Sequence, residues 1–213
     1  MKVKDAIRIL EKTYGTPKPG KKRPPLESLI ETILSQNTND VNRDKAFGRL
    51  RSEYPTWEHL LDAPTRNIAN TIRVGGLANT KSKRIKAILQ LIKRRYGKLS
   101  LDYLKKISTE EAAKELSSFK GVGEKTVKCV LLFSLGRKVF PVDTHIHRLC
   151  RRMGFVRKGA SRDETHRIMA EIVPQDKMYP FHLNLIRHGR EICTARKAEC
   201  PICPLIKLCP KIL

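Results

Sequence analysis

Residues 116–126 read Leu116-Ser117-Ser118-Phe119-Lys120-Gly121-Val122-Gly123-Glu124-Lys125-Thr126. Leu116 and Phe119 extend an apolar helical stripe begun at Ala112 and Ala113. The stripe stops at two glycines one residue apart, and Val127, Val130 and Leu131 resume it. This spacing predicts a helix, a tight glycine turn and a second helix. Glycines let the backbone turn sharply and approach another molecule closely. The second helix then presents its first amide groups to an anion such as phosphate. Contacts of that kind hold a nucleic acid in place without reading its sequence.

Outward from this hairpin the pattern stays helical. Val3, Ala6, Ile7, Leu10 and Tyr14 share one face of an N-terminal helix. Leu26, Leu29, Ile30, Ile33 and Leu34 form a second stripe behind Pro24-Pro25, where proline is tolerated at a helix start. Asn39 or Asp40 can cap the next helix, which carries Ala46, Phe47 and Leu50. Trp57, Leu60 and Leu61 mark a short helix, and Thr65 is expected to cap one with Ile68, Ala69 and Ile72. Ile85, Ile88, Leu89, Ile92 and Tyr96 give a long helix with a basic outer face. Ile146, Leu149 and Met153 follow Asp143, a good cap, and further stripes lie at Ile168–Ile172 and Phe181–Ile186. The only strand-like run is Lys138–Val142, and Pro141 weighs against it. Lys18 to Arg23, with prolines around it, reads as an extended connector. The expected fold class is all-α.

The 213 residues carry 44 Lys and Arg against 21 Asp and Glu, a formal net charge of +23. Heat-adapted surfaces rich in charge mix both signs, whereas this excess is one-sided and points to a polyanionic partner. No run approaches the roughly 20 apolar residues of a membrane span, and charges interrupt the N-terminal helix too often for a signal peptide. A reducing compartment is therefore expected, where clustered cysteines favour metal over disulfides. Four of them, Cys193, Cys200, Cys203 and Cys209, close the chain. From spacing alone they suit either an iron-sulfur cluster or structural zinc. Cys129 and Cys150 lie in apolar helical patterns and read as core residues.

Lys125 falls in the first turn after the hairpin. It suits a phosphate contact or, if held neutral by surrounding positive charge and the helix N-terminus, an amine nucleophile. Asp143 suits a helix cap and a carboxylate that stabilises developing positive charge; the two roles are compatible. His145 reads as a structural or phosphate-contacting residue.

Phe119–Thr126 together with Val142-Asp143-Thr144-His145 resemble the helix-hairpin-helix-Gly/Pro-Asp DNA glycosylase superfamily. His188-Gly189-Arg190, followed by the four cysteines, resembles the iron-sulfur loop of its endonuclease III family, whose members are bifunctional DNA glycosylases and abasic-site lyases. Ile33-Leu34-Ser35 with Thr38 and Asp40, and Gly76-Leu77 with Asn79 and Lys81, resemble that family's helix and wedge loop. The similarity runs from about Leu26 to Cys209.

The resemblance implies two lobes: a six-helix barrel-like lobe over 23–137, and a second lobe from 1–22 with 138–213. The second would hold a [4Fe-4S] cluster on Cys193, Cys200, Cys203 and Cys209 in the loop 193–209. It implies a monomer binding double-stranded DNA in an interlobe cleft, with Lys125 as nucleophile and Asp143 opposite. It also implies a cytoplasmic, nucleoid-associated protein if the source is a prokaryote. DNA-binding candidates are Gln36, Asn37, Asp40, Leu77, Gly121, Val122, Gly123, Thr126 and His145. The family's wedge glutamine aligns with Asn37, and Gln36 precedes it, so either can fill the vacated stack; Ala78 stands where an aromatic residue is common. Leu77 is expected to be a wedge in preference to a core residue.

The implied reaction is removal of oxidised pyrimidines and strand cleavage by β-elimination. The alternatives are a monofunctional glycosylase for mismatched thymine, uracil or alkylpurines, and a helix-hairpin-helix protein that binds DNA without chemistry.

Overall fold

A computed structural model describes residues 2–211. The chain divides into two compact units: Lys22–Leu135 form one, and the segments on either side form the other. Among the described residues the regular structure is helical, apart from a single bridge between Cys193 and Ala198. Lys138–Val142 forms no strand. No helix is long and apolar enough to cross a membrane.

The 22–135 unit is built on α2 (Pro25–Leu34), none of whose ten residues is exposed. Pro25 starts the helix, where its missing N–H costs nothing. Leu26, Leu29, Ile30, Ile33 and Leu34 are apolar almost all round, so the helix must be enclosed to be stable. Three helices pack against it: α3 (Asp40–Glu53), α6 (Ala78–Tyr96) and α8 (Glu124–Cys129). Between them run the short α4 (Trp57–Asp62) and α5 (Thr65–Thr71), both packed on α6. Then comes α7 (Thr109–Ser117), which is capped at both backbone and side chain by the reciprocal Ser108–Glu111 box.

Local chemistry sets the boundaries. Asn39 caps α3 by accepting from the Asn42 N–H at 2.8 Å. The start of α5 differs from expectation. Pro64 takes the cap position with ψ 135°, and Thr65 is already the first helical residue. Proline fixes its own extended geometry there and leaves threonine no capping role. α6 ends at Gly97, whose φ of +71° lets its N–H turn back to Lys93 O. α8 passes directly into a π-helical turn over Val130–Ser134, closed by Leu135 N–H to Val130 O. Such wide turns recur near functional sites.

In the other unit α1 (Val3–Tyr14) lays Val3, Ala6, Ile7 and Leu10 against α11 (Met178–Glu191). α9 (Thr144–Arg152) packs on α11 and on α10 (Arg162–Ile172). Lys177 pairs with Glu11 at 2.9 Å, and Asn184 donates to Gly15 O at 3.0 Å, which ties the N-terminal segment down. Phe140 and Phe181 stack at 6.0 Å between centroids.

Ile33 lies fully buried in the middle of the enclosed helix. Ile33→Ala is expected to lower unfolding free energy by about 2–5 kcal/mol. Urea denaturation followed by circular dichroism would check this, and a loss near zero would contradict the wrapped-helix account.

Candidate active site

The hairpin carries the geometry its sequence implies. Gly121 sits at φ +82°, a conformation that side chains rarely adopt. A Cβ there would also lie 2.1 Å from Arg84 Nε, because the Arg84 side chain lies across the turn. The positive φ favours glycine, and any side chain there would also displace Arg84. Val122 is buried beneath the turn, and Gly123 enters α8 from an extended conformation. The first amide groups of α8 have no partner inside the helix, as at any helix start. Lys125 follows in the first turn, half-buried, and pairs with no side chain of residues 22–135.

Arg84 reaches further. Its Nη1 donates to Gln36 Oε1, and Gln36 Nε2 donates to Thr126 Oγ1 at 3.4 Å. The Gln36 amide is therefore held between α6 and α8. Thr126 is only 3% exposed, and its hydroxyl braces this loop. Val122 is likewise buried, and only its backbone is placed to serve the turn.

Asn37 differs from its neighbour. It is exposed and adopts φ +50°. Leu77, 54% exposed, adopts φ +49° at the position before α6. The two loops are adjacent: a Cβ on Gly76 would lie 3.9 Å from Asn37 O. Left-handed backbone is uncommon outside glycine and is held only where surrounding structure enforces it. Asp40 opens α3 and accepts from Arg43 Nη1 at 3.0 Å, within an ion-pair group that includes Glu31. Burial raises the Glu31 carboxyl above its usual range, against the pull of Arg23 and Arg43.

Between these loops lies Lys81, 1% exposed. Its Nζ donates to Leu34 O at 2.7 Å and to Gly75 O at 2.8 Å. Leu34 ends α2, so one of that helix's orphan carbonyls is satisfied by the lysine. Burial lowers the Lys81 ammonium to about 8, and the charge of Arg84 adds to the effect. A neutral amine still has one N–H for each carbonyl. The sequence does contain a signal: Lys81 extends the stripe Ile85, Ile88, Leu89 and Ile92 by one helical turn, which places it on the buried face.

In the other unit Asp143 caps α9 by accepting from the Ile146 N–H at 2.8 Å. Capping fixes the carboxylate side chain of a half-buried residue. His145, two residues on, places its Nδ1 3.3 Å from Arg148 Nη2. Arg148 Nη2 also donates to Gly189 O at 2.7 Å and to Cys193 O at 2.9 Å, which binds α9 to the start of the cysteine loop. Lys125 belongs to one unit and Asp143 to the other.

Cys193, Cys200, Cys203 and Cys209 line one cavity, with His188, Ile192 and Leu205 on its walls. Arg152 donates to Cys193 Sγ at 3.4 Å and to Thr194 O at 2.6 Å. Among the described residues no three His, Cys, Asp or Glu side chains are drawn tightly enough around one point to hold a single metal ion. Cys129 and Cys150 are buried apart from this group.

Residues 30–175 match the model of the HhH-GPD superfamily of base excision DNA repair proteins. The chain belongs to that superfamily. Its enzyme class is DNA glycosylase. It is 39% identical over 191 residues to a putative DNA glycosylase of Arabidopsis thaliana, covering 85% of this chain and 65% of that protein's length. It is 32% identical to endonuclease III of Thermotoga maritima, covering 97% of this chain and 92% of the relative. A solved structure of a trapped endonuclease III–DNA covalent intermediate superposes with a TM-score of 0.85 at 27% identity, over 98% of this chain and 94% of that one. The all-α fold read from the helical stripes is the fold of this glycosylase family.

The depressed Lys81 gives this chain a pH signature. Above about 8 the folded protein releases that proton, while the unfolded chain keeps it up to 10.5. Stability rises with pH wherever the unfolded state binds more protons. The gap in unfolding free energy between wild type and Lys81→Met should therefore widen as pH climbs through this window. Parallel urea titrations would check it, and a gap that stays constant would refute the burial of a titrating amine.

Proposed function

We propose that this glycosylase is bifunctional: it removes oxidised pyrimidines from double-stranded DNA and then cuts the strand on the 3′ side of the abasic site. We also propose a monomer working at cytoplasmic DNA, nucleoid-associated if the source is a prokaryote. The observation that carries the reading is Lys125, an amine with no partner in its unit, one turn beyond a hairpin shaped for phosphate. The covalent DNA intermediate trapped with an endonuclease III supports the same chemistry here.

A base inside a duplex is out of reach, so the nucleotide is extruded, at a cost of a few kcal/mol that damage reduces. Asn37 and Leu77, exposed and rigidly bent, enter the vacated stack; Gln36, with its amide already engaged, positions Asn37. Gly121 and Gly123 hold the phosphate backbone through main-chain groups. His145 and Asp40 flank the bound strand as secondary contacts.

The lone pair of Lys125 Nζ attacks the sugar C1′ as the glycosidic bond breaks, the electron pair of that bond leaving with the base. Asp143 stabilises the positive charge on the sugar and assists the proton steps. The amine loses its proton, the sugar ring opens and a Schiff base forms. Loss of a C2′ proton then expels the 3′ phosphate.

The four thiolates fit a [4Fe-4S] cluster. They line one cavity together with Met153, Ile192, Leu205 and Ile206. Cys193, Cys200, Cys203 and Cys209 would hold the group, which would supply a structural tie for the C-terminal loop. The chain's own residues do the rest: Arg148 and Arg152 fasten the loop to α9 through Cys193 and Thr194 carbonyls.

Two measurements test this reading. Borohydride should trap wild-type protein on duplexes carrying thymine glycol or an abasic site. Lys125→Gln should lose the adduct while binding duplex DNA within about 3-fold of wild type, since phosphate contacts carry most of that affinity. Equal trapping by the variant would remove Lys125 from its role. Metal analysis of protein purified without oxygen should find iron and sulfide, with loss of iron in Cys203→Ser; stoichiometric zinc would overturn the cluster assignment.

A further inference from the structure

The buried lysine has no part in the chemistry just described, yet it touches both loops that bear the bent, exposed residues. We propose that Lys81 is a positioning residue for base extrusion: by bonding Leu34 O and Gly75 O at once, it locks the Asn37 and Leu77 loops into one rigid edge. This rests on the proposed insertion of those two residues into the base stack.

The geometry leaves few other ways to hold the edge. Leu34 O lies three residues before Asn37, and Gly75 O two residues before Leu77. Each loop therefore leaves its anchor almost at once and turns through a left-handed residue. Between the anchors the two loops run side by side, so that a Cβ added at Gly76 would lie 3.9 Å from Asn37 O. Without Nζ, two buried carbonyls lose their donor, and each seeks water or another partner by moving. Movement at either anchor carries a strained residue with it, because left-handed backbone relaxes when its surroundings loosen. Arg84 steadies the other side of the same loop through Gln36 and does not reach Gly75.

A wedge must already be in place when the base leaves, because ordering it at that moment would add to the barrier. A misplacement of about 1 Å can cost on the order of 100-fold in rate. Lys81 therefore acts on the extrusion step and not on Lys125.

The test compares wild type, Lys81→Met and Lys81→Gln, the last keeping one donor on a shorter stem. Single-turnover release of thymine glycol from a duplex should fall at least about 10-fold in Lys81→Met. Trapping on a preformed abasic site, which has no base to extrude, should fall less than about 3-fold. 2-Aminopurine beside the lesion should show reduced unstacking. Amide hydrogen exchange should rise at 35–38 and 75–78 and stay unchanged in the 119–123 hairpin. Lys81→Met paired with Leu77→Ala should be non-additive. Equal losses of base release and abasic trapping, or unchanged exchange in both loops, would overturn the proposal. If wild type leaves thymine glycol intact, the lesion assignment falls, and the exchange pattern alone decides whether Lys81 locks the edge. If Lys81→Met does not fold, the same readouts on Lys81→Gln decide.

Discussion

A helix that is apolar on nearly every side has to be wrapped, and α2 sets that requirement for the 22–135 unit. Enclosing it brings α3, α6 and α8 against one axis. Each buried Leu or Ile contributes about 1.5–3 kcal/mol by leaving water, so the wrapping supplies much of the unit's stability. It also creates a problem at the helix end. The last carbonyls of an enclosed helix cannot turn to solvent, and an unsatisfied buried carbonyl costs about 1–3 kcal/mol. Lys81 answers that problem at Leu34, and in doing so draws α6 and the loop before it onto the end of α2. The exposed edge at Asn37 and Leu77 follows from how the core is closed.

Much of this was legible in sequence because it depends on local rules. Two glycines between apolar stripes meant a turn at positive φ, and Gly121 adopts it. Asn39, one of two candidate caps with Asp40, and Asp143 stood where caps belong, and both cap. Cys129 and Cys150 lay in core patterns, and both are buried. The gathering of the four terminal cysteines around one cavity follows from their closeness along the chain.

What was not legible depends on contacts between distant residues. Nothing near Gln36 in sequence says that Arg84, 48 positions away, will take its amide oxygen. Nor does it say that the same amide will donate to the Thr126 hydroxyl. A lysine read as part of a polar loop motif proved to be the buried member of an apolar stripe, since only the packed neighbours reveal that its stem has no water to reach. The π-helical turn after Cys129 has no composition signal, because its residues suit an α-helix equally well. The cap before α5 was misassigned for a related reason: Pro64 and Thr65 compete for one position, and the rigid ring takes it.

These long-range bonds also bear on how recognition and chemistry stay in step. Thr126 is the immediate neighbour of Lys125, and its hydroxyl receives the amide of Gln36, the immediate neighbour of Asn37. One side-chain bond thus joins the loop proposed to enter the stack to the helix proposed to attack the sugar. Arg84 joins the same amide to the hairpin by lying across Gly121. Gln36 is thus pinned to the nucleophile's helix on one side and to Arg84 on the other, which holds the start of the insertion loop in fixed register with both. General positive charge can bring DNA to the surface at +23, but charge alone does not register a sugar against an amine. That register comes from a small set of part-buried polar contacts, which makes them sensitive to substitution.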